Sequence, residues 1–255
     1  MPAAYDRLLA PAVFGPFAAD LAVRAARRDP GRILEVAAGT GVLTRELIAA
    51  LPSAEVTATD LNPAMVSYGS GRVPEARWEQ ADAERLRYPD GRFDLVACQF
   101  GVMFLPDKPG AFAEARRVLR PGGAFVLNTW DTVDTHGFAS ALVAGLELAF
   151  PGDPPAFLVS VPHGYADRST VVEDLAAGGF RSVHAETVIL EGRSESARQV
   201  AVGFCTGTPL RAAIAARADL AEVVATVSEE MVRRLGSGPV SVRMTAHVFE
   251  ACAEV

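Results

Sequence analysis

The sequence predicts an α/β protein built on an open, doubly wound sheet, mostly parallel, with helices on both faces. Three observations carry this. From Gly31 to Trp130, short apolar runs alternate with helical patterns. Three of the runs, Arg32–Ala37, Phe93–Gln99 and Ala124–Trp130, are nearly continuous in apolar residues, as strands buried on both faces require. The first run also passes through a loop of very small residues directly into an amphipathic helix.

The elements follow in order. Phe17–Arg28 presents Phe17, Leu21 and Ala25 on one helical face, and Asp29-Pro30-Gly31 turns the chain into the Arg32–Ala37 strand. Thr40–Leu51 is helical, with Leu43, Leu47, Ile48 and Leu51 on one side. A strand at Glu55–Asp60 precedes a helix that starts at Pro63 and is capped by Asn62. Strands at Arg77–Gln80 and Phe93–Gln99 come next. The helix Ala111–Arg120 buries Phe112, Ala115, Val118 and Leu119, and Pro121-Gly122-Gly123 stops it before the strand Ala124–Trp130.

Beyond Trp130 the rhythm changes. Residues 131–167 are rich in Gly, Pro and His, with a helical stretch near Phe138–Phe150, and read as an insertion or lid. Thr170-x-x-Glu173 has the form of a capping box, opening a helix that ends at Gly178-Gly179. Val183–Leu190 reads as a strand, Arg211–Leu235 as helical, and Val240–Cys252 as a closing strand. The organisation expected is one domain over 1–255. It comprises a helical cap (1–30), a ligand-binding core (31–130), the lid (131–167), and a completion of the sheet with a helical substrate-side region (168–255).

Composition narrows the function. Half of the 255 residues are hydrophobic and mean hydropathy is +0.20, enough for a large core. The formal charge of −7, with no Lys/Arg-rich face, argues against nucleic acid as a partner. The 3 cysteines form no C-x-x-C pair, and the histidines show no close ligand spacing, so no metal is expected. A reducing, cytoplasmic setting fits. Pro11, Gly15 and Pro16 break the Leu8–Ala19 stretch, which is not a signal peptide, and no uncharged stretch approaches the ~18–20 residues of a membrane span.

The most informative residues are Ile33-Leu34-Glu35-Val36-Ala37-Ala38-Gly39-Thr40-Gly41-Val42-Leu43-Thr44. Small residues let a ligand lie against the backbone, and the start of the next helix offers amide donors to an anion. A dinucleotide loop would have a third glycine where Thr44 stands, and a phosphate-binding P-loop would have Lys after Gly41. Asp60 ends the second strand about twenty residues on, placed to accept both hydroxyls of a ribose. Asp82 follows the third strand, where a carboxylate can accept from an adenine amine. Phe93–Phe100 leads a fourth strand toward the same edge.

Taken together, the stretch from Ile33 to Trp130 resembles the core of the class I S-adenosylmethionine-dependent methyltransferases, in their UbiE-like or type 11 version. The matching residues are Glu35-Val36-Ala37-Ala38-Gly39-Thr40-Gly41, Asp60-Leu61-Asn62-Pro63-Ala64-Met65, Asp82-Ala83, Phe93-Asp94 and Val118-Leu119-Arg120-Pro121-Gly122-Gly123. The resemblance implies a Rossmann-like sheet of order 3-2-1-4-5-7-6 with the last strand antiparallel. It implies S-adenosylmethionine as cofactor, leaving as S-adenosylhomocysteine. Glu35, Ala37, Gly39, Thr40 and Gly41 would seat the methionine moiety, Asp60 would hold the ribose, Asp82 and Ala83 would frame the adenine, Gln99 would line the sulfonium side, and Leu61 and Met65 would also be cofactor-binding. Ala37 stands where the family's loop has its first glycine, a minor cost if its φ is negative.

The expected reaction is in-line displacement of the sulfonium methyl by a small-molecule acceptor of quinone, lipid or secondary-metabolite type. His136, in the segment that overhangs the transfer cleft in such a fold, is the weak candidate for a general base. Asp153-Pro154-Pro155 lacks the Tyr of an amino-methylation signature and reads as a loop. Two other readings stay open: a nicotinamide-dependent oxidoreductase, against which Thr44 and Asp82-Ala83 weigh, and a module that binds the cofactor without catalysis. A monomer or homodimer is expected.

Overall fold

The computed structural model describes residues 2–253. Its strands are β1 (Arg32–Glu35), β2 (Glu55–Asp60), β3 (Arg77–Gln80), β4 (Phe93–Gln99), β5 (Leu119–Trp130), β6 (Ser182–Ser194) and β7 (Val240–Cys252). They form one sheet of order β3-β2-β1-β4-β5-β7-β6, as expected. The β1–β2, β1–β4, β2–β3 and β4–β5 pairs are parallel. β7 runs antiparallel to β5: Gly122 N–H donates to Ala253 O at 2.7 Å at one end, and Asp131 N–H to Thr245 O at 3.2 Å at the other.

The helices are α1 (Pro2–Ala26), α2 (Val42–Ala50), α3 (Pro63–Arg72), α4 (Lys108–Val118), α5 (Gly137–Ala149), α6 (Phe157–Ser160), α7 (Arg168–Ala177), α8 (Ala197–Gly207), α9 (Leu210–Ala215) and α10 (Leu220–Leu235). The described residues pack as two compact units: 17–129, 165–188 and 246–253 in one, and 2–16, 130–164 and 189–245 in the other. The first unit holds the parallel strands. Ile33, Leu34, Leu95, Val96, Val126 and Leu127 are wholly buried in it, and Phe125 packs between Phe112 and Phe180 at 5.8 and 5.9 Å. In the second unit α5 lies against α10 so closely that a Cβ on Gly145 would stand 2.9 Å from the Val227 Cα.

Several boundaries differ from expectation, each for a physical reason. β1 ends at Glu35 because Ala37 takes φ +53°, which no strand continues. β5 begins at Leu119, so Arg120-Pro121-Gly122-Gly123 is strand rather than helix stop. The Ala253 hydrogen bonds to Gly122 and Gly123 draw it into the ladder, while Asp107 caps α4 earlier in the chain. Asp167, not Thr170, caps α7: its Oδ1 accepts from Ser169 N–H at 3.0 Å, and its Oδ2 from the Thr170 hydroxyl. The Arg211–Leu235 stretch divides at Asp219, whose carboxylate caps α10.

α1 starts well before Phe17, and its Tyr5–Phe14 portion is π-helical around Pro11, where the missing N–H favours a wider turn. By length and composition α1 could cross a membrane. It carries Asp6, Arg7, Asp20 and Arg24, and its Leu9, Val13, Phe17, Leu21 and Ala25 are buried, the pattern of a core helix.

Candidate functional site

The loop after β1 is built from left-handed turns. Ala37, Gly39 and Gly41 have φ of +53°, +57° and +87°. The two glycines adopt this without steric penalty. Gly41 has a second constraint, since a Cβ there would press on Val73 at 3.0 Å and on the Trp78 ring at 3.1 Å. Gly39 has none: the space beside it is open to 4 Å. The proviso that Ala37 keeps a negative φ is not met. Its conformation costs about 1–2 kcal/mol, offset by the strand-end bonds on either side. Val36 N–H donates to Ala97 O at 2.9 Å and Ala38 N–H to Thr59 O at 2.8 Å.

Asp60 sits where β2 ends and reaches back to this loop. Its Oδ2 accepts the Gly39 N–H at 2.8 Å and its Oδ1 the Asn62 N–H at 2.8 Å. Burial pushes its carboxyl above the usual range, and the two backbone donors oppose that shift. Each oxygen keeps a further lone pair, so the group can still accept two hydrogen bonds, the demand of a vicinal diol. Asn62 caps α3 through Ala64 N–H at 2.9 Å, which leaves Asp60 out of that duty. Leu61 is 64% exposed and Met65 half-buried beside it.

Glu35 is wholly buried and accepts the Thr44 hydroxyl at 2.6 Å. Burial pushes its pKa up to about 8 and Asp60 adds to this, while Thr44 and Arg45 pull the other way. At neutral pH it is therefore largely protonated. Thr40 is also wholly buried, and its hydroxyl has no partner among the described residues. A buried orphan of this kind calls for a ligand or water.

The remaining predicted residues are less concentrated. Asp82 is exposed, with Oδ1 accepting from Glu84 N–H at 2.9 Å in a local turn. Ala83 lines a gap of about 10 Å³ with Val36, Leu86, Val102 and Phe112, room for no more than one water. Gln99 is half-buried and in register with Asn128 of β5. Trp78, Thr44, Thr59 and Asn128 support the loop and its neighbours but carry no motif that marks them in the sequence.

His136 belongs to the other unit and has a structural duty. It caps α5, its Nδ1 accepting from Ala139 N–H at 3.2 Å, so its proton sits on Nε2. Burial drives its pKa down to about 3, with His163 adding. Such an imidazole is a poor base. It packs with Trp130 and His163 at centroid distances of 4.7 and 5.5 Å. The Asp153-Pro154-Pro155 segment is a loop, Asp153 pairing with Arg217 at 2.8 Å. Among the described residues, no cluster of three or more His, Cys, Asp or Glu is arranged to hold a metal.

Comparison with known proteins converges on the same region. Residues 33–123 match a family model described as a methyltransferase domain. The chain is 30% identical over 172 residues, covering 61% of itself and 67% of its relative, to the ubiquinone/menaquinone biosynthesis C-methyltransferase UbiE of Ectopseudomonas mendocina (strain ymp). It is 31% identical over 169 residues, covering 61% of itself and 70% of the relative, to the UbiE protein of Burkholderia mallei (strain SAVP1). Its fold superposes on the YcgJ protein of Bacillus subtilis with a TM-score of 0.60 at 20% identity, covering 94% of this chain and 99% of that one.

The chain belongs to the class I S-adenosylmethionine-dependent methyltransferase family. It is an enzyme of that class, and S-adenosylmethionine is its cofactor.

Proposed function

We propose that the cofactor is held along the carboxyl ends of β1, β2 and β4, with the Glu35–Gly41 loop on the methionine moiety and Asp60 on the ribose. Leu61 and Met65 also contribute to the cofactor site, Asp82 and Ala83 frame the adenine, and Gln99 lies toward the sulfonium. The observation that supports this most is the 2.8 Å bond from Gly39 N–H to Asp60, which ties the diol acceptor to the glycine loop. The open space beside Gly39, the orphaned Thr40 hydroxyl and the spare lone pairs of Asp60 fit the same ligand.

Bound there, the cofactor supplies a methyl group made electrophilic by a positively charged sulfur. The residues of this chain contribute binding and orientation. Asp60 orients the ribose through its two free acceptor sites, and the left-handed loop keeps side chains out of the way. Glu35, buried and bonded to the Thr44 hydroxyl, holds the start of the loop in place. No base is assigned: His136 is committed to its cap, and an acceptor that attacks without losing a proton needs none.

The acceptor we propose is a small molecule, with a quinone-type ring carbon first in order. Similarity to proteins named as ubiquinone and menaquinone C-methyltransferases supports it. Calorimetric titration with S-adenosylmethionine tests the cofactor site, and release of S-adenosylhomocysteine with demethylated quinols against lipid and amine acceptors tests the acceptor. Absence of binding at high micromolar concentration overturns the site. Turnover of amines but not quinols overturns the acceptor class.

A further inference from the structure

At the carboxyl end of β4 the backbone makes a turn that no local propensity favours. Phe100 holds φ +50°, a conformation a bulky side chain resists. Two contacts hold it there. Its N–H donates to the Asn128 Oδ1 at 2.9 Å in a buried hydrogen bond, and its ring packs edge-on against Phe17 at 5.4 Å. The next residue, Gly101, lies so close to the cofactor loop that a Cβ there would stand 2.5 Å from the Ala37 Cβ and 2.8 Å from the Cys98 Sγ. Ala37 is left-handed as well. Two strained turns, at the ends of adjacent strands, brace each other across one glycine.

Asn128 itself is 0% exposed, and its Nδ2 has no hydrogen-bond partner among the described residues. The unused donor of a buried amide is a cost that an apolar residue of similar size would not carry. Val126 and Leu127 beside it on β5 are such apolar residues. The amide thus contributes one thing that an apolar residue cannot, an oxygen for the Phe100 N–H.

We propose that Asn128 is a positioning residue of the cofactor site, locking the Gln99–Gly101 turn so that Gly101 supports the Ala37 bend. The proposal rests on the reading of the Glu35–Gly41 loop and Asp60 as that site. Asn128 does not itself touch the cofactor; it acts through the Phe100 backbone. Strain of this sort persists only where surrounding contacts over-determine it, and it concentrates at ligand sites.

The test separates positioning from stability with two variants of opposite character. Asn128→Leu leaves the buried Phe100 N–H without its acceptor but also removes the unpaired donor, so the two effects partly offset and it melts only modestly lower than the wild type. Asn128→Asp keeps an oxygen for Phe100 but buries a carboxyl group, so it melts lower. Titrating S-adenosylhomocysteine by calorimetry, Asn128→Leu binds at least roughly tenfold more weakly, and Asn128→Asp stays within about threefold of wild type. Affinity that instead follows melting temperature, or wild-type affinity in Asn128→Leu, overturns the proposal. If Asn128→Leu fails to fold, Asn128→Ala is judged by the same criteria. A wild-type chain that binds no S-adenosylhomocysteine overturns the cofactor site and this proposal together. A wild-type chain that binds, with a variant that binds equally well, overturns this one alone.

Discussion

The two units of this chain are stabilised in different ways. In the unit built on residues 17–129, 165–188 and 246–253, the backbone does unusual things. All non-glycine residues with positive φ among the described residues, Asp29, Ala37 and Phe100, lie there, as do Gly39 and Gly41. In the unit of residues 2–16, 130–164 and 189–245, only Gly152 and Gly236 take positive φ, and the helices are held by apolar packing. Backbone demands of the first kind admit few residue types, whereas apolar packing admits many. That is why the Glu35–Gly41 loop is readable in the sequence and the acceptor is not.

The buried titratable groups sharpen the contrast. Glu35 has its pKa raised to about 8 by burial, so its protonated form is favoured in the folded state. That contribution is fully present below the unfolded carboxyl value of 4.5 and is lost as pH rises through about 8, on the order of 5 kcal/mol in all. Urea titrations across this range should show Glu35→Gln gaining on wild type as pH rises. His136 works in the opposite sense: lowered to about 3 by burial, it contributes stability above its unfolded value of 6.5, lost as pH falls toward 3. His136→Asn, which keeps a capping acceptor, should lose less stability than wild type over that acid range. Equal pH slopes in wild type and variant would break either half of the contrast.

Smaller effects probe the loop directly. Asp60→Ala removes the acceptor for Gly39 N–H and the one proposed for the ribose, and should weaken S-adenosylhomocysteine binding by about 1.5–3 kcal/mol, or ten- to a hundredfold. Unchanged calorimetric affinity would sink the role given to Asp60. Gly41→Ala forces a side chain into a left-handed turn against Trp78 and Val73, costing about 1–2 kcal/mol in denaturant unfolding. Ala37→Gly acts the other way and least. Relief of the left-handed strain outweighs the added chain entropy, for a gain of up to about 1 kcal/mol, seen as a melting temperature higher by about 2–4 °C. A lower melting temperature would mean that the methyl group of Ala37 packs to an advantage that exceeds its strain.

Legibility in the sequence followed the same division. The β2, β3, β4 and β7 boundaries agree with the sequence reading, because Pro, Gly, Asn or Asp residues stand close to the ends of β2, β3 and β4 and just before β7, and punctuate the chain there. Asn62 before Pro63 announced its cap. Asp167 was missed, because Thr170-x-x-Glu173 satisfies the same local pattern and only the hydrogen bonds to Ser169 and Thr170 separate them. The strand character of Arg120–Gly123 was hidden because the partner that pairs it lies at Ala253. Asn128 gave no sign at all. Its duty depends on the Phe100 N–H, in a neighbouring strand far away in the chain.

By itself the sequence determined the class of fold, the family and the residues at the strand ends, because strand period, glycine placement and carboxylate spacing are local properties of the chain. The tertiary structure alone decided that Ala37 bends left-handed, that burial raises the Glu35 carboxyl and that His136 caps α5. Those outcomes depend on burial and on hydrogen bonds between residues distant in sequence, and neither has a local signature.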